Sequence, residues 1–597
     1  MSDSLELIPV SNNLNANSIG LTGQLLNSSG FPSADLLGLP NYRQHVSSFS
    51  YPPQTNSDSS LEFIEDVNIL GTSIRGIEDY HHYSNFPNSS TSYMETGLGN
   101  HIFQDILGES KSDKLANSII ESTLDTLTGE TINGTITGTS ENDSIDFATL
   151  SDVLIVLGSL RADNFTFEHS SNRTVFSGNG NVDFGSGKKD ILDLSSFDLR
   201  TVNFNLAKPT GGGVIFNPGN GDRVFDAITL TDGSEILFEG IDSIKFADTT
   251  IDLSVTPNDP MFKDQWNLHM MGVHNAWGFT TGSKDVLIGV QDTGLGVNSN
   301  GAIHDDLLGR TTRYPSNYSD DFFRNVQDEN YGPKGTSHGT AVQSIIAANG
   351  NNGTGMSGIN WDSSVFHIDV LDNNVGDRSV AQATQNMIDK AKEQGQRLVI
   401  NMSLSNSNGV NPAFEQLVAN NVDNALFVIS SGNKDVNTIS HPSSLAQKYS
   451  NVVAVGASWG TRDWYNNEKN PGTRISYANW WGSNYGNGLT LMGPSEVIAT
   501  SATKTSPDSS VAFSYNDRFN GTSAAAPNVA GVASLVWSAN SNLTASQIKQ
   551  IMSQTAYDLG TKGYDTTYGH GFVNADAAIR RAMAMKFSST SQNGNQA

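Results

Sequence analysis

The sequence predicts an α/β fold with a mostly parallel sheet over residues 255–585, preceded by a β-rich module and a low-complexity N-terminal segment. In the C-terminal half, short apolar strands alternate with helices, which is typical of a parallel sheet covered on both faces. Short apolar runs broken by Gly, Asn and Asp fill residues 118–254. Ser, Asn and Gly dominate residues 1–117, and residues 586–597 form a polar tail.

Length and composition exclude several classes of protein. The 597 residues can hold two to four domains. A net charge of −27, from 34 basic and 61 acidic residues, disfavours nucleic acid and anionic membranes as partners. The chain has no cysteine, which excludes disulfides, thiolate metal sites and thiol catalysis. No stretch approaches the roughly 18 apolar residues of a membrane span, and we expect a monomer.

The N-terminal segment gives little information about location. Residues 1–6 lack the basic and apolar regions of a secretory signal. An extracellular or periplasmic location reached by non-classical export, and a cytoplasmic location, both stay open. The polar composition predicts that residues 1–117 are largely disordered.

The β-rich module, residues 118–254, has two alternative interpretations. Its short strands predict an antiparallel or solenoid-like β domain. Residues 185–194 faintly resemble the Gly-Asp calcium repeats of bacterial β-helix proteins, but only fragments of the repeat are present, so calcium there stays open. The module is either a pro-region or a permanent accessory domain. The polar, Pro-containing linker at 252–259 predicts cleavage between about 240 and 262.

Residues 255–585 contain the strands and helices of the predicted sheet. The strands are predicted at 285–292, 365–371, 398–404, 426–429, 452–455 and 497–500. The helices are predicted at 338–348, 379–394, 412–421, 544–556 and 574–585, with a further apolar helix after Ser523.

Four polar residues stand where these elements begin or end. Asp292 ends a buried strand, at the sheet edge where α/β folds place their chemistry. His338 opens an apolar helix, and Asn433 follows a strand through a Gly turn. Ser523 lies at a helix N-terminus, which favours developing negative charge. Each residue alone is usually structural, as a turn former, a surface histidine or an N-cap.

Together the four residues predict a reaction centre. Ser523 would attack a carbonyl, His338 would take its proton, and Asp292 would fix the imidazole tautomer and offset its charge. Asn433 and the Ser523 N–H would donate hydrogen bonds to the tetrahedral oxyanion. The chain order Asp, His, Ser is one of the known orders of such triads.

The motifs Asp292-Thr293-Gly294, His338-Gly339-Thr340 and Gly521-Thr522-Ser523-Ala524-Ala525-Ala526-Pro527 resemble those of subtilisin-like serine proteases, the subtilases, over roughly residues 258–585. The resemblance implies a three-layer subtilisin-like domain and an endopeptidase that cuts proteins or peptides through an acyl-enzyme. The alanines after Ser523 resemble the kexin and furin branch, which cuts after basic residues. The acidic pocket of that branch is not matched, but Asp435 lies near the relevant loops, so a preference for basic residues stays open. The alternative is a catalytically silent scaffold of the same fold, against which the four intact residues argue.

The resemblance also implies residues that bind substrate. In the family, substrate pairs as an extra strand beside the segment that matches Ser403, Leu404 and Ser405, with Gly432 nearby. The family usually carries Gly where this chain has Ser405, which implies a narrower entrance to the S1 pocket.

The resemblance further implies a structural Ca²⁺ site. The segments His304–Leu307 and Asn349–Met356 match two ligand loops of the family. The ligands implied are Asp306, Asn349, Asn352, Thr354 and Met356. Side-chain and carbonyl oxygens suit this hard cation.

A second serine has a competing pattern. Residues 456–460 satisfy the G-x-S-x-G nucleophile elbow around Ser458. An elbow must lead into a helix, but the polar residues that follow predict a loop. We therefore reject an esterase centred on Ser458.

Overall fold

A computed structural model describes residues 153–167, 172–314, 335–371, 379–405, 409–504 and 510–594, together with short strands nearer the N-terminus. Those strands are β1 (Glu6–Leu7), β2 (Asp66–Ile69), β3 (Thr72–Arg75), β4 (Ile119–Glu121), β5 (Asn133–Thr137) and β6 (Ser144–Phe147). β2 and β3 form an antiparallel hairpin. The remainder of residues 1–117, which the sequence predicts to be largely disordered, lies outside the described residues.

The β-rich module has a parallel β-solenoid at its centre, with antiparallel strands added at the edges of its two sheets. The module strands that follow are β7 (Val153–Leu157), β8 (Asn164–Phe167), β9 (Arg173–Ser177), β10 (Ile191–Leu194), β11 (Asn203–Asn205), β12 (Val214–Phe216), β13 (Arg223–Thr229), β14 (Glu235–Glu239), β15 (Ser243–Phe246) and β16 (Thr250–Asp252). Each rung gives one strand to each of two sheets. β5, β7, β9 and β14 pair in parallel in one sheet, and β6, β8, β10 and β15 in the other. Phe165, Phe176 and Phe238 fill the space between them.

Three aspartates stack along the solenoid just before the second strand of successive rungs. The Asp163 N–H donates to Asp190 Oδ1 at 2.7 Å, and the Asp190 N–H donates to Asp242 Oδ2 at 2.9 Å. This aspartate ladder satisfies backbone groups that no sheet reaches. Burial, with the charges of Asp242 and Asp163, raises the pKa of Asp190 well above its usual range.

The C-terminal domain confirms the predicted α/β class. Its strands are β17 (Val286–Asp292), β18 (Thr311–Tyr314), β19 (Gly335–Thr336), β20 (Ser364–Asp369), β21 (Arg397–Met402), β22 (Leu404–Ser405), β23 (Ala425–Ser430), β24 (Val452–Ser458), β25 (Leu491–Pro494), β26 (Val497–Lys504) and β27 (Ala512–Phe519). The main sheet has the order β18-β20-β17-β21-β23-β24-β25, with every pair parallel. β26 instead pairs antiparallel with β19 and β27, so the strand predicted at 497–500 does not join the main sheet.

Helices cover both faces of the main sheet. They are α1 (Trp266–Met270), α2 (Val273–Ala276), α3 (His338–Ala347), α4 (Val380–Gln394), α5 (Pro412–Asn420), α6 (Thr522–Ala539), α7 (Ala545–Thr555) and α8 (Ala575–Gly594). α4 and α5 pack on one face, and α3 and α6 on the other. α8 continues nine residues past the end predicted at 585. Nowhere in the described chain is a helix both long and apolar enough to cross a membrane.

Part of the solenoid packs into the hydrophobic core of the α/β domain, while the rest of its buried side chains form clusters of their own. Leu160, Val182 and Val224 of the solenoid belong to the same buried cluster as Met270 and Met271. The predicted linker is held in place: the Ser254 hydroxyl donates to Asp242 at 2.6 Å, and the Val255 N–H donates to the His274 carbonyl at 2.9 Å.

Candidate active site

The secondary structure places the four predicted catalytic residues at element ends. Asp292 is the last residue of β17, and His338 is the first of α3, where Ser337 caps the helix. Ser523 lies in the first turn of α6, behind Gly521 with φ of 85°. Asn433 follows β23 through Gly432, whose φ is 107°. Because α3 and α6 pack against each other on one face of the sheet, their first turns bring the histidine and the serine to the same side.

Asp292 and His338 form a buried pair. Nδ1 of His338 lies 2.6 Å from Oδ1 of Asp292, which also accepts the Thr293 N–H at 2.8 Å. No described atom hydrogen-bonds Nε2 of His338, although it is buried. Since a carboxylate only accepts, Nδ1 carries the proton, and Nε2 is left as the base.

The serine and the asparagine meet at the start of α6. Oγ of Ser523 donates to the Ser403 carbonyl at 3.3 Å. The Asn433 side-chain oxygen accepts from the N–H and the hydroxyl of Thr522, both at 2.9 Å. These bonds fix the amide, so Nδ2 points away from Thr522, and no partner for it lies among the described residues. A buried donor without a partner, next to a serine, is what an oxyanion site requires.

The segment that is predicted to pair with substrate consists of Ser403 and β22. β22 pairs antiparallel with β1, with Leu7 opposite Leu404 and Glu6 opposite Ser405. The edge of β22 therefore accepts an extended segment. Gly432 has no room for a side chain, because a Cβ there would lie 2.2 Å from the Ser440 hydroxyl.

The predicted calcium residues gather around one loop. Oδ2 of Asp306 accepts from the Met356 N–H at 3.2 Å, and the Asp306 carbonyl accepts from the Asn349 N–H at 2.7 Å. Asn352 accepts from the N–H and the hydroxyl of Thr354. The described residues include no cluster of three or more His, Cys, Asp or Glu side chains that could hold a metal. A cation here would therefore also need amide and carbonyl oxygens, as Ca²⁺ accepts.

A second carboxylate faces the same loop. Asp259, 4 % exposed, accepts the N–H groups of Asn351 and Asn352 at 2.7 and 2.9 Å. Burial raises the pKa of Asp306, and the charge of Asp259 adds to the rise. Both carboxylates already accept hydroxyl hydrogen bonds, Asp306 from Tyr515 at 2.8 Å and Asp259 from Ser357 at 2.5 Å, so a cation here would take the place of some of these donors. The sequence alone places Asp259 only at the end of the linker at 252–259.

Two sequence interpretations can be compared with their surroundings. Asp435, a candidate for recognising basic substrates, forms an ion pair with Arg474 at 2.6 Å. Its negative charge is therefore already balanced within the protein. Ser458 ends β24, and the next helix along the chain is α6. This agrees with the rejection of a nucleophile elbow.

Fold and site together define the class of protein as a subtilisin-like hydrolase. The subtilase family model matches residues 283–571. Subtilisin DY of Bacillus licheniformis is 34% identical over 269 residues, which are 43% of this chain and 82% of that protein. The chain belongs to the subtilase family.

Longer relatives match over part of their length. The halolysin-like extracellular serine protease Nep of Natrialba magadii is 29% identical over 57% of this chain, and the chain spans only 56% of that protein. For an extracellular protease of Xanthomonas campestris, 28% identical, that share is 59%. A solved protease of Pseudoalteromonas arctica is 26% identical, with a TM-score of 0.43 over 55% of this chain and all of that one.

Proposed function

We propose that the chain is a serine endopeptidase that hydrolyses peptide bonds through an acyl-enzyme. The observation that carries this proposal is the Asp292–His338 bond of 2.6 Å with Nε2 left unbonded, on a helix that packs against the helix of Ser523. The relatives named as proteases support it. A silent scaffold is the alternative, but a scaffold has no use for a buried base and a buried amide that lack partners.

In the proposed reaction, Ser523 rotates from the Ser403 carbonyl to His338 and attacks the substrate carbonyl. His338 takes the hydroxyl proton, and Asp292 stabilises the imidazolium. Nδ2 of Asn433 and the Ser523 N–H bind the oxyanion. His338 then protonates the leaving amine, and water, activated by the same imidazole, releases the acyl group. The extended substrate pairs with β22 and displaces any strand already there.

Labelling with a fluorophosphonate separates the enzyme from the scaffold. We expect the wild-type chain to be labelled at Ser523, and Ser523→Ala to lose labelling and about six orders of magnitude in turnover, a size transferred from knockouts measured in a subtilisin. Ser458→Ala is the matched control, since it alters the serine of the rejected elbow. Normal proteolysis by Ser523→Ala would refute the proposal.

We also propose that structural Ca²⁺ binds between Asp306 and the loop Asn349–Met356, with Asp259 as a further ligand. The two buried carboxylates support this site. Calcium bound only to the folded state stabilises it by mass action, so chelation should lower the Tm. Asp306→Ala should weaken that response, whereas the exposed neighbour Asp305→Ala should keep it. If EDTA leaves the Tm unchanged and elemental analysis finds no bound metal, the calcium proposal is refuted.

We infer that the solenoid is the permanent accessory domain and not a released pro-region. Leu160, Val182 and Val224 of the solenoid pack into the core of the α/β domain, and the predicted cleavage segment is bonded to Asp242 and His274. Mass spectrometry of the purified active enzyme should find residues 153–254 attached. Release of that segment in the wild type but not in Ser523→Ala would establish the pro-region instead. The relatives named as extracellular support export as a further proposal, which cell fractionation tests.

A further inference from the structure

A buried histidine that the proposed reaction does not use lies behind the triad. His367 is on β20, opposite Val290 in register, and is 1% exposed. Its Nε2 lies 2.6 Å from the Thr293 carbonyl oxygen, and its Nδ1 lies 2.9 Å from Oε1 of Gln343. Both nitrogens therefore have defined neighbours in the interior.

The neighbours of His367 are acceptors. The Thr311 hydroxyl donates its only proton to the Leu307 carbonyl, so it accepts from Nε2 of Gln343 at 2.7 Å. That bond turns Oε1 of Gln343 towards His367. A carbonyl oxygen only accepts, so the contact with Thr293 requires a proton on Nε2 of His367.

Thr293 joins His367 to both members of the catalytic pair. Its N–H donates to Asp292 Oδ1 at 2.8 Å, and its hydroxyl accepts the Gly339 N–H at 2.8 Å. Asp292 directly precedes Thr293 in the chain, and His338 directly precedes Gly339, so each catalytic residue lies next to one of these bonds. A Cβ on Gly339 would lie 2.3 Å from the Thr293 carbonyl and 3.0 Å from the His367 ring. The packing is therefore close enough to transmit small shifts.

We propose that His367 is a positioning residue of the triad, which acts by holding the Thr293 carbonyl and, through Thr293, the relative placement of Asp292 and His338. The inference rests on the proposed protease function. Without the bond from His367, the Thr293 peptide can move, and the two catalytic side chains move with its N–H and hydroxyl. Displacements of about 1 Å can cost a hundredfold in rate when they disturb reacting groups.

The groups facing His367 give the proposal a pH readout. Burial lowers the pKa of His367, the negative charge of Asp292 opposes this, and the positive charge of Arg313 adds to it. The contact that matters for the proposal is the one at Nε2, whose proton is given to the Thr293 carbonyl. If the link is lost, Asp292 holds the His338 imidazolium less well. The acid limb of the kcat/KM profile should then move to lower pH.

The experiment compares three variants. His367→Phe fills the site without a donor, His367→Gln keeps an amide donor, and His269→Phe is the control, a buried histidine in an aromatic cluster of the domain interface. We expect His367→Phe to lose about tenfold to a hundredfold in kcat, with KM within about twofold and the acid limb shifted. His367→Gln should recover most of both. His269→Phe should alter the Tm only.

Fluorophosphonate labelling keeps the two proposals distinguishable. A wild-type chain that is not labelled refutes the protease proposal itself. A labelled wild type, with a folded His367→Phe of unchanged kcat and pH profile, overturns only the role of His367. If His367→Phe does not fold, Thr293→Val is combined with His367→Leu, a smaller variant that also lacks a donor: we expect a loss in kcat that is smaller than the product of the separate losses. Independent losses would overturn the inference.

Discussion

The side-chain amide of Asn433 has its oxygen held by hydrogen bonds and its nitrogen available to a ligand. Both hydrogen bonds to Thr522 hold its oxygen, and its buried Nδ2 has no described partner. A donor fixed before the reaction needs no reorganisation when charge develops, so its contribution appears in the transition state and not in substrate binding.

Asn433→Ala should therefore lower kcat by about a hundredfold to a thousandfold, or about 2.7–4 kcal/mol, with little change in KM. The magnitude is the one measured for the corresponding donor of a subtilisin and is transferred within the family. Steady-state kinetics on a peptide substrate measures it. A rise in KM alone would make Asn433 a residue that positions the substrate.

The sequence identifies the residues whose role follows from one chain segment. Asp292, His338 and Ser523 each end a strand or open a helix, and small-residue motifs mark those points. Asp259 and His367 were not identified, because their partners are distant in sequence: Asp259 meets the loop at Asn351, and His367 meets Thr293. The position of His367 within an apolar strand does indicate a buried imidazole, and a buried imidazole needs hydrogen-bond partners.

At the level of elements, the aspartate ladder joins successive rungs of the solenoid, because the carboxyl groups of Asp190 and Asp242 each accept a backbone N–H of the preceding rung. The sequence predicted short strands there but not their order, because each rung pairs with the next across 20 or more residues and the strands are too short to show a repeat. Oδ1 of Asp190 accepts the Asp163 N–H, while its Oδ2 is buried with no partner among the described atoms. Burial and the neighbouring carboxylates therefore raise the pKa of Asp190 and favour its protonated form.

Asp190→Asn should raise the Tm by a few degrees at pH 8 and change it little near pH 4. The raised pKa means that the folded state binds the proton more tightly, so stability is complete below the unfolded pKa of about 3.9 and falls as pH rises towards the folded value. The amide keeps the acceptor without the charge. Thermal unfolding across pH tests this, with exposed Asp222→Asn as control. Parallel Tm curves for the wild type and Asp190→Asn would contradict it.

At the level of the whole molecule, a buried charge cluster ties the solenoid to the α/β domain. Arg580 of α8 contacts Asp226 of the solenoid at 2.7 Å and Asp576 of its own helix at 2.8 Å. Asp576 also accepts the Gly240 N–H at 3.0 Å, and Glu239 pairs with Arg223 at 3.0 Å. Each charge has a partner across or along the interface.

Arg580→Met should destabilise the protein by about 3–5 kcal/mol, because it leaves buried carboxylates without their cation. Chemical denaturation measures the loss. Arg581→Met is the matched control, since Arg581 is half-exposed and binds Asn220 and Gln554. Equal, small losses in the two variants would mean that the interface does not depend on this charge.

The pairing of β1 with β22 has a consequence for kinetics. A strand tethered to its own enzyme is present at a fixed effective concentration, which is set by the length of the chain that joins them. Dilution does not weaken such a competitor, whereas substrate must outcompete it at every turnover. Deleting residues 1–9 should therefore lower the apparent KM and leave kcat unchanged. A variant with the same KM as the full chain would show that the strand does not compete.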